Sequence, residues 1–429
     1  MSAVPACEPV LFRGVRVFDG VGEELSQLRD VYIENRRIAD PSTRPDPDAR
    51  VLDAEGRVLM PGLTDAHVHL FGIGSTQAEL LLGPTGLGYY NALAEAEGML
   101  MRGFTTVRDM GGDTGALKQV LDAGLFPGPR IYPSQATISQ TSGHGDFSAV
   151  HESPLPLGGR PTRAEDIGFT RIADGVPRVL TAVREQLKKG ASQIKVMAGG
   201  GAASSYDPLD VVQYTADELR AAVQAARDWG TYVAVHVYNT AGVRRAVEAG
   251  VASIEHGHLA DEETIALLAE HGVWLSTQPF LESDHVYASP DSAAKNREIC
   301  DGVARTLEWA RRFGVRLAFG TDLLLDPASA HRQSDMFVRL NTEFGFSAVQ
   351  ALRTATSGNA GLFATAGARD PYRDARLGVI DTGAWADVLL VEGDPTQDLS
   401  LLADPAHALA VIVKDGRVYK DALTGAGRS

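Results

Sequence analysis

The chain has 429 residues, of which 44% are apolar and 22% charged, the balance of a folded globular protein rather than a disordered or low-complexity one. Its 40 basic and 55 acidic side chains leave a net charge of −15, which argues against nucleic-acid and anionic-membrane partners, both of which need a basic face. Two cysteines, Cys7 and Cys300, cannot build a disulfide framework, so two free thiols in a reducing compartment are expected.

The opening run MSAVPACEPVLF has no basic start and no long apolar stretch, so it does not read as a secretory signal. No run of 18 apolar residues occurs, and a cytoplasmic protein without a membrane span is the expectation. Residues 9–35 and 49–60 then read as short strands, with alternating Val, Ile and Leu broken by turn residues. The far end reads the same way, in GVIDTGAWADVLLVEGD and ALAVIVKDGRVYKD, and these turns predict hairpins. Neither end is large enough to bury a core alone. One small β-sandwich built from residues 1–60 and 376–429 is predicted.

Between them, residues 61–375 alternate strand and helix patterns. Eight β-type runs follow in order: 59–70, 104–110, 130–138, 193–198, 231–238, 253–256, 273–280 and 316–322. TADELRAAVQAARDWG is typical of the helices between them, with a Thr cap, apolar residues at i, i+3, i+4 and a Gly stop. Eight such repeats predict an α/β fold, a (β/α)8 barrel. The alternative, a doubly wound open sheet, lacks a Gly-x-Gly-x-x-Gly turn. Residues 139–175 and 281–295 are long connections, expected to be binding loops on the catalytic face.

Polar residues gather at the predicted strand ends. His67 and His69 form His-Val-His, and a spacing of two puts both imidazoles on one face of a strand. Lys195 lies between Ile194 and Val196. It is either held by a carboxylate or desolvated enough to react with carbon dioxide, giving a carbamate that bridges two metals. His236 in VAVHVY and His256 in IEHGH end successive strands; each could alone be a satisfied core histidine. His258, two residues on, is expected in the loop. Asp322 in FGTD either faces the same pocket or caps the next helix. Asp326 and Ser329 are better placed as caps, which frees Asp322. Together His67, His69, Lys195, His236, His256 and Asp322 make a set suited to zinc and neighbouring divalent metals.

PGLTDAHVHL, IKVMAGGGAAS, VAVHVY, SIEHGHL and FGTD resemble the amidohydrolase superfamily, in its binuclear, carbamylated-lysine branch. Within it the chain is similar to the imidazolonepropionase-like amidohydrolases, a group that includes prolidase-like carboxypeptidases and ochratoxin-hydrolysing enzymes. The resemblance spans nearly the whole chain. It implies two divalent metals, zinc by ligand type: His67, His69 and Asp322 on one, His236 and His256 on the other, and carbamylated Lys195 between them. Imidazolonepropionase itself resembles a mononuclear site without this lysine, so its substrate is not carried over. A homo-oligomer is implied as well.

Such a centre implies hydrolysis by a metal-bridging hydroxide, with Asp322 as the base and then the acid. The formal charges of two metals, Asp322, the carbamate and the hydroxide leave about +1, which favours an anionic substrate. A small molecule with a free carboxylate beside the scissile amide is therefore expected: an N-acyl amino acid, a C-terminal dipeptide or an ochratoxin-like amide. A carbamate, urea or cyclic-amide hydrolase is the alternative, and a non-catalytic scaffold would be expected to have lost ligands. His144 in TSGHGD and Tyr238, two past His236, are expected to contact the carboxylate or the carbonyl oxygen. Otherwise His144 is held by Asp146, and Tyr238 packs the rim. Arg108 is expected to pair with a carboxylate. Gly199, Gly200 and Gly201 permit close backbone approach to a ligand or form a tight turn. Phe147 and Phe280 are candidate pocket walls.

Overall fold

The computed structural model describes residues 7–204, 206–287 and 289–423. Small parts of the predicted terminal segments, and Ala288 of the 281–295 connection, lie outside these residues. The centre of the chain is a barrel of parallel strands: Leu63–Val68, Phe104–Asp109, Arg130–Pro133 with Thr137–Ser139, Ile194–Met197, Val233–Asn239, Ser253–Leu259, Trp274–Thr277 and Arg316–Phe319. The eighth strand returns to the first, where the Asp322 amide donates to the His67 carbonyl at 2.7 Å. Gly320 makes that approach possible, since a Cβ there would lie 2.5 Å from the Cβ of His67.

Helices on the outside follow the local chemistry. Thr215 and Glu218 form a capping box before Ala216–Asp228, and Asn239 and Asp261 cap the next two helices. Gly250 ends Thr240–Ala249 in the left-handed region that glycine tolerates. Val, Ile, Leu and Ala from these helices and from the outward faces of the strands form the apolar layer that fixes the wall.

The two ends share one sheet, as expected. Val388–Val391 runs antiparallel to Val58–Pro61, and Leu409–Lys414 and Arg417–Asp421 add a hairpin through Asp415-Gly416, both at positive φ. The Glu55-Gly56 turn does not make a hairpin. Arg50–Asp53 and Val58–Pro61 both run parallel to Val10–Val17 and pair with successive halves of it.

Four local expectations need correction. The third barrel strand is broken at Ser134–Ala136, where Gln135 has φ 61°. The sixth strand runs on to Leu259, so His258 lies within it. The connection after the seventh strand ends at Ser289 rather than at residue 295, because a long helix starts at Pro290. The 139–175 connection carries a strand of its own, Thr170–Ile172, which pairs with Thr137–Ser139. No helix among the described residues is long and apolar enough to cross a membrane.

Candidate metal centre and active site

The six residues singled out at strand ends converge at one end of the barrel around a cavity of about 530 Å³. Donor atoms of His67, His256 and Asp322 all lie within 4.8 Å of one another. His69 joins them through Nε2, 3.2 Å from Asp322 Oδ1. Lys195 Nζ lies 3.3 Å from His67 Nε2. His236 stands beyond that group, its ring centroid 4.5 Å from that of His256.

Each imidazole is oriented by an oxygen on its other nitrogen, which settles which nitrogen is left for the centre. His67 Nδ1 donates to Glu255 Oε2 at 2.8 Å, and His256 Nδ1 donates to Gln278 Oε1 at 2.7 Å. His69 Nδ1 faces the Gly111 carbonyl at 3.3 Å, and His236 Nε2 faces the Gly200 carbonyl at 3.0 Å. The nitrogens left without such a partner are therefore Nε2 of His67, His69 and His256, and Nδ1 of His236, although His256 Nδ1 also lies 3.9 Å from Asp322 Oδ2. Burial holds His67, His236 and His256 well below the ordinary imidazole range, so they stay neutral. Burial opposes ionisation of Asp322, and positive charge on its facing side, at His67, His69 and Lys195, is what brings its carboxyl below the usual range; with the imidazoles neutral, that charge has to come from a bound cation. Lone pairs of His67 and His69 thus meet a carboxylate oxygen at 3.3 and 3.2 Å, an arrangement of acceptors that calls for a cation. The residues fit divalent metal. Burial also pushes the Lys195 amine down to about 8, against the pull of Glu255 and Asp322. A neutral amine is the form that reacts with carbon dioxide.

Backbone strain accompanies this arrangement. His256 has φ 75° and Gly257 φ 67°, and the pairing register shifts between Val237 and Asn239. In a regular strand Glu255 and His256 would face opposite sides. The bulge turns both inward, Glu255 to His67 and His256 to the cavity. Asp322 has φ 52°. Neither Asp326 nor Ser329 caps a helix through its side chain, since the Ser329 hydroxyl donates to the Asp326 carbonyl, and Asp322 is not a cap either.

The sequence reading missed several supporting residues. Glu255 accepts from Arg108 through both carboxylate oxygens at 2.8 and 2.7 Å, and from Ser253 at 2.6 Å. Arg108 thus pairs with a carboxylate, as expected, and is not among the residues that line this cavity. Gln278 and Asp207 were not singled out either. A carboxylate inside an apolar strand, directly before His256-Gly257, was the available signal for Glu255. Nothing in the sequence marked Asp207.

His144 and Tyr238 both line the cavity. The His144 ring stacks on His236, with centroids 4.1 Å apart and planes 11° apart. It is held by Asp207, not Asp146, whose carboxylate accepts from the Ser142 and Ser148 amides. Tyr238 stacks on His256 at 5.0 Å. The glycines after Lys195 serve the protein's own packing, since a Cβ on Gly201 would lie 2.2 Å from the His144 ring and one on Gly200 2.0 Å from the Pro208 carbonyl. Phe147 and Phe280 do form walls, with Phe169, Tyr287 and Ile299 beside them.

Residues 58–419 match the amidohydrolase family. An ochratoxinase from Aspergillus niger is 32% identical over 382 residues, which is 85% of this chain and 76% of that protein. Among solved structures, an amidohydrolase superposes with a TM-score of 0.87 at 36% identity, covering 96% of this chain and 99% of that one. A prolidase complexed with N-methylphosphonate-L-proline superposes with a TM-score of 0.86 at 33% identity, covering 96% of this chain and 100% of that one.

Proposed function

The chain belongs to the amidohydrolase family and is a hydrolase of carbon–nitrogen bonds, and from that premise we propose that it cleaves an amide next to a free carboxylate, using two divalent metals. In this reading His67, His69 and Asp322 hold one metal, His236 and His256 hold the other, and Lys195 links them as a carbamate. When bound, the metals lower the pKa of a water and polarise the scissile carbonyl. The convergence of acceptor atoms on one point, with every imidazole braced from behind, carries the reading.

The chain's own residues supply the rest. Asp322, ionised and 15% exposed, accepts the proton of the attacking water on its carboxylate and returns it to the leaving nitrogen. Tyr238 and His144 stand on the cavity wall above the imidazoles, where a ligand's carboxylate or carbonyl oxygen would meet their polar atoms. Asp322 and Asp326 are the acidic side chains among the lining residues, so an anionic ligand meets little opposing charge. Phe147 and Phe169 on one side, and Phe280, Tyr287 and Ile299 on the other, would close over an apolar acyl or aryl group. The ligand named with the similar prolidase is an N-substituted amino acid, which agrees with this class.

Hydrolysis rates across N-acyl amino acids with free and amidated carboxylates test the proposal. Amidation is expected to cost about 1.5–3 kcal/mol in kcat/KM, the worth of a charged hydrogen bond. Equal rates, or faster hydrolysis of cyclic amides and carbamates, would overturn the carboxylate reading.

A further inference from the structure

The segment after the fourth barrel strand is a closed loop. Its base is pinned by a bridge between Gly199 and Val212 and by the Gln213 amide, which donates to the Ala198 carbonyl. Inside it Asp207 is 1% exposed. Its Oδ2 accepts from the Gly201 amide and the Ser204 hydroxyl, both at 2.8 Å, and from His144 Nδ1 at 2.9 Å. Hydrogen bonds to its ionised form outweigh burial and keep the Asp207 carboxyl below its usual range. Lys295, on the helix that starts at Pro290, reaches the carbonyls of Ser204 and Asp207 at 3.4 and 3.5 Å and ties the loop down from above.

His144 belongs to a different segment, the connection after the third strand, yet the 199–213 loop grips it at both ends. Gln213 Oε1 accepts from its backbone amide at 3.1 Å, while Ser204 Oγ and Asp207 Oδ2 take its Nδ1 at 2.7 and 2.9 Å. A carboxylate is an acceptor only, so Nδ1 must carry the hydrogen. Among the described residues Nε2 has no hydrogen-bond partner, and the ring lines the cavity. Gly201, which leaves room for that ring, and Gly200, whose carbonyl faces His236, belong to the same loop.

We propose that Asp207 is the positioning residue for His144: it fixes the ring's tautomer and its plane over His236, so that Nε2 is the nitrogen offered to the substrate. Asp207 itself touches neither substrate nor metal. The substrate role of His144 rests on the proposed activity; the coupling between the two residues does not. A plain structural role for Asp207, bracing the Gly201–Ser204 turn, would be felt whether or not His144 is present. A positioning role vanishes with the ring.

The test is a double-mutant cycle on the full-length, metal-loaded enzyme, using Asp207→Asn, His144→Ala and the pair. Asp207→Asn puts an amide N–H or a neutral oxygen where the acceptor stood, so the ring loses its fixed tautomer. It is expected to lower kcat/KM by about 10–100-fold, the usual cost of losing an orienting partner, with the metal-to-protein ratio of the parent. In the His144→Ala background the same change is expected to cost less than about twofold. Ser204→Ala, a gentler removal of one acceptor, is expected to show the same dependence on His144, and it carries the comparison if Asp207→Asn lowers the thermal midpoint strongly. Additive losses, or loss of metal in Asp207→Asn, would overturn the proposal and leave Asp207 as a structural brace. If the parent showed no preference for free acids, the carboxylate reading would fall, while the cycle, run on whichever amide is hydrolysed, would still decide the coupling.

Discussion

Arg108 is the perturbation whose consequence the structure specifies most fully. Its side chain is wholly buried, donates to Glu255 through 2.7 and 2.8 Å hydrogen bonds, and also reaches the Ala66 carbonyl at 2.6 Å and Tyr232 Oη at 3.2 Å. Arg108→Met keeps the bulk and removes the charge. Glu255 would then lose the largest charge that offsets its burial, leaving it the Ser253 and His67 hydrogen bonds. Breaking a buried pair in this way costs about 3–5 kcal/mol. At about 2.1 cal/mol/K of unfolding entropy per residue, a chain of 429 residues should lose about 3–6 °C in thermal midpoint. Adding Glu255→Gln removes the stranded charge and should restore at least about half of that loss. Differential scanning calorimetry on the parent, the single and the double variant measures both. A shift under about 1 °C for Arg108→Met, or a double variant no more stable than the single, would refute the claim that this pair carries the buried charge beneath His67.

Asp322→Asn preserves shape and removes the proposed base, so kcat should fall by about 10²–10⁴-fold; steady-state kinetics with parallel metal analysis would show whether metal is retained, and a fall under tenfold with full metal would point to another base. Gly320→Ala would place a Cβ 2.5 Å from the Cβ of His67 and force the first and eighth strands apart; lowered metal content and a lower thermal midpoint are expected, and normal values of both would show that the approach is not tight.

The sequence carried the architecture because the barrel's helices and strands each have their own period, caps and stops; Thr215 with Glu218 and Asn239 before Gly242 are local signals with local outcomes. The polar strand ends were legible for a related reason. A lysine between Ile194 and Val196, or a histidine between Val235 and Val237, conflicts with its apolar surroundings and so marks itself. What stayed hidden depends on contacts between segments far apart in the chain. The alternation of a regular strand gave no way to see Glu255 and His256 both facing inward, because the bulge at His256-Gly257 is set by packing against the neighbouring strand. Asp207 sits in an ordinary polar loop, and only the approach of His144 from a segment some 60 residues earlier gives it meaning. The Glu55-Gly56 turn misled because turn chemistry fixes a reversal, not the partner that each strand takes.

The proposed pair of divalent metals joined through Lys195 stands or falls on metal stoichiometry measured together with activity. Protein purified with zinc and bicarbonate should contain about two ions per chain by elemental analysis. Lys195→Ala should lose at least one ion and most of the amide hydrolysis, and a short carboxylic acid added to that variant should restore part of both. Full activity at a saturating ratio of one, or a Lys195→Ala variant with the parent's metal content and rate, would contradict it.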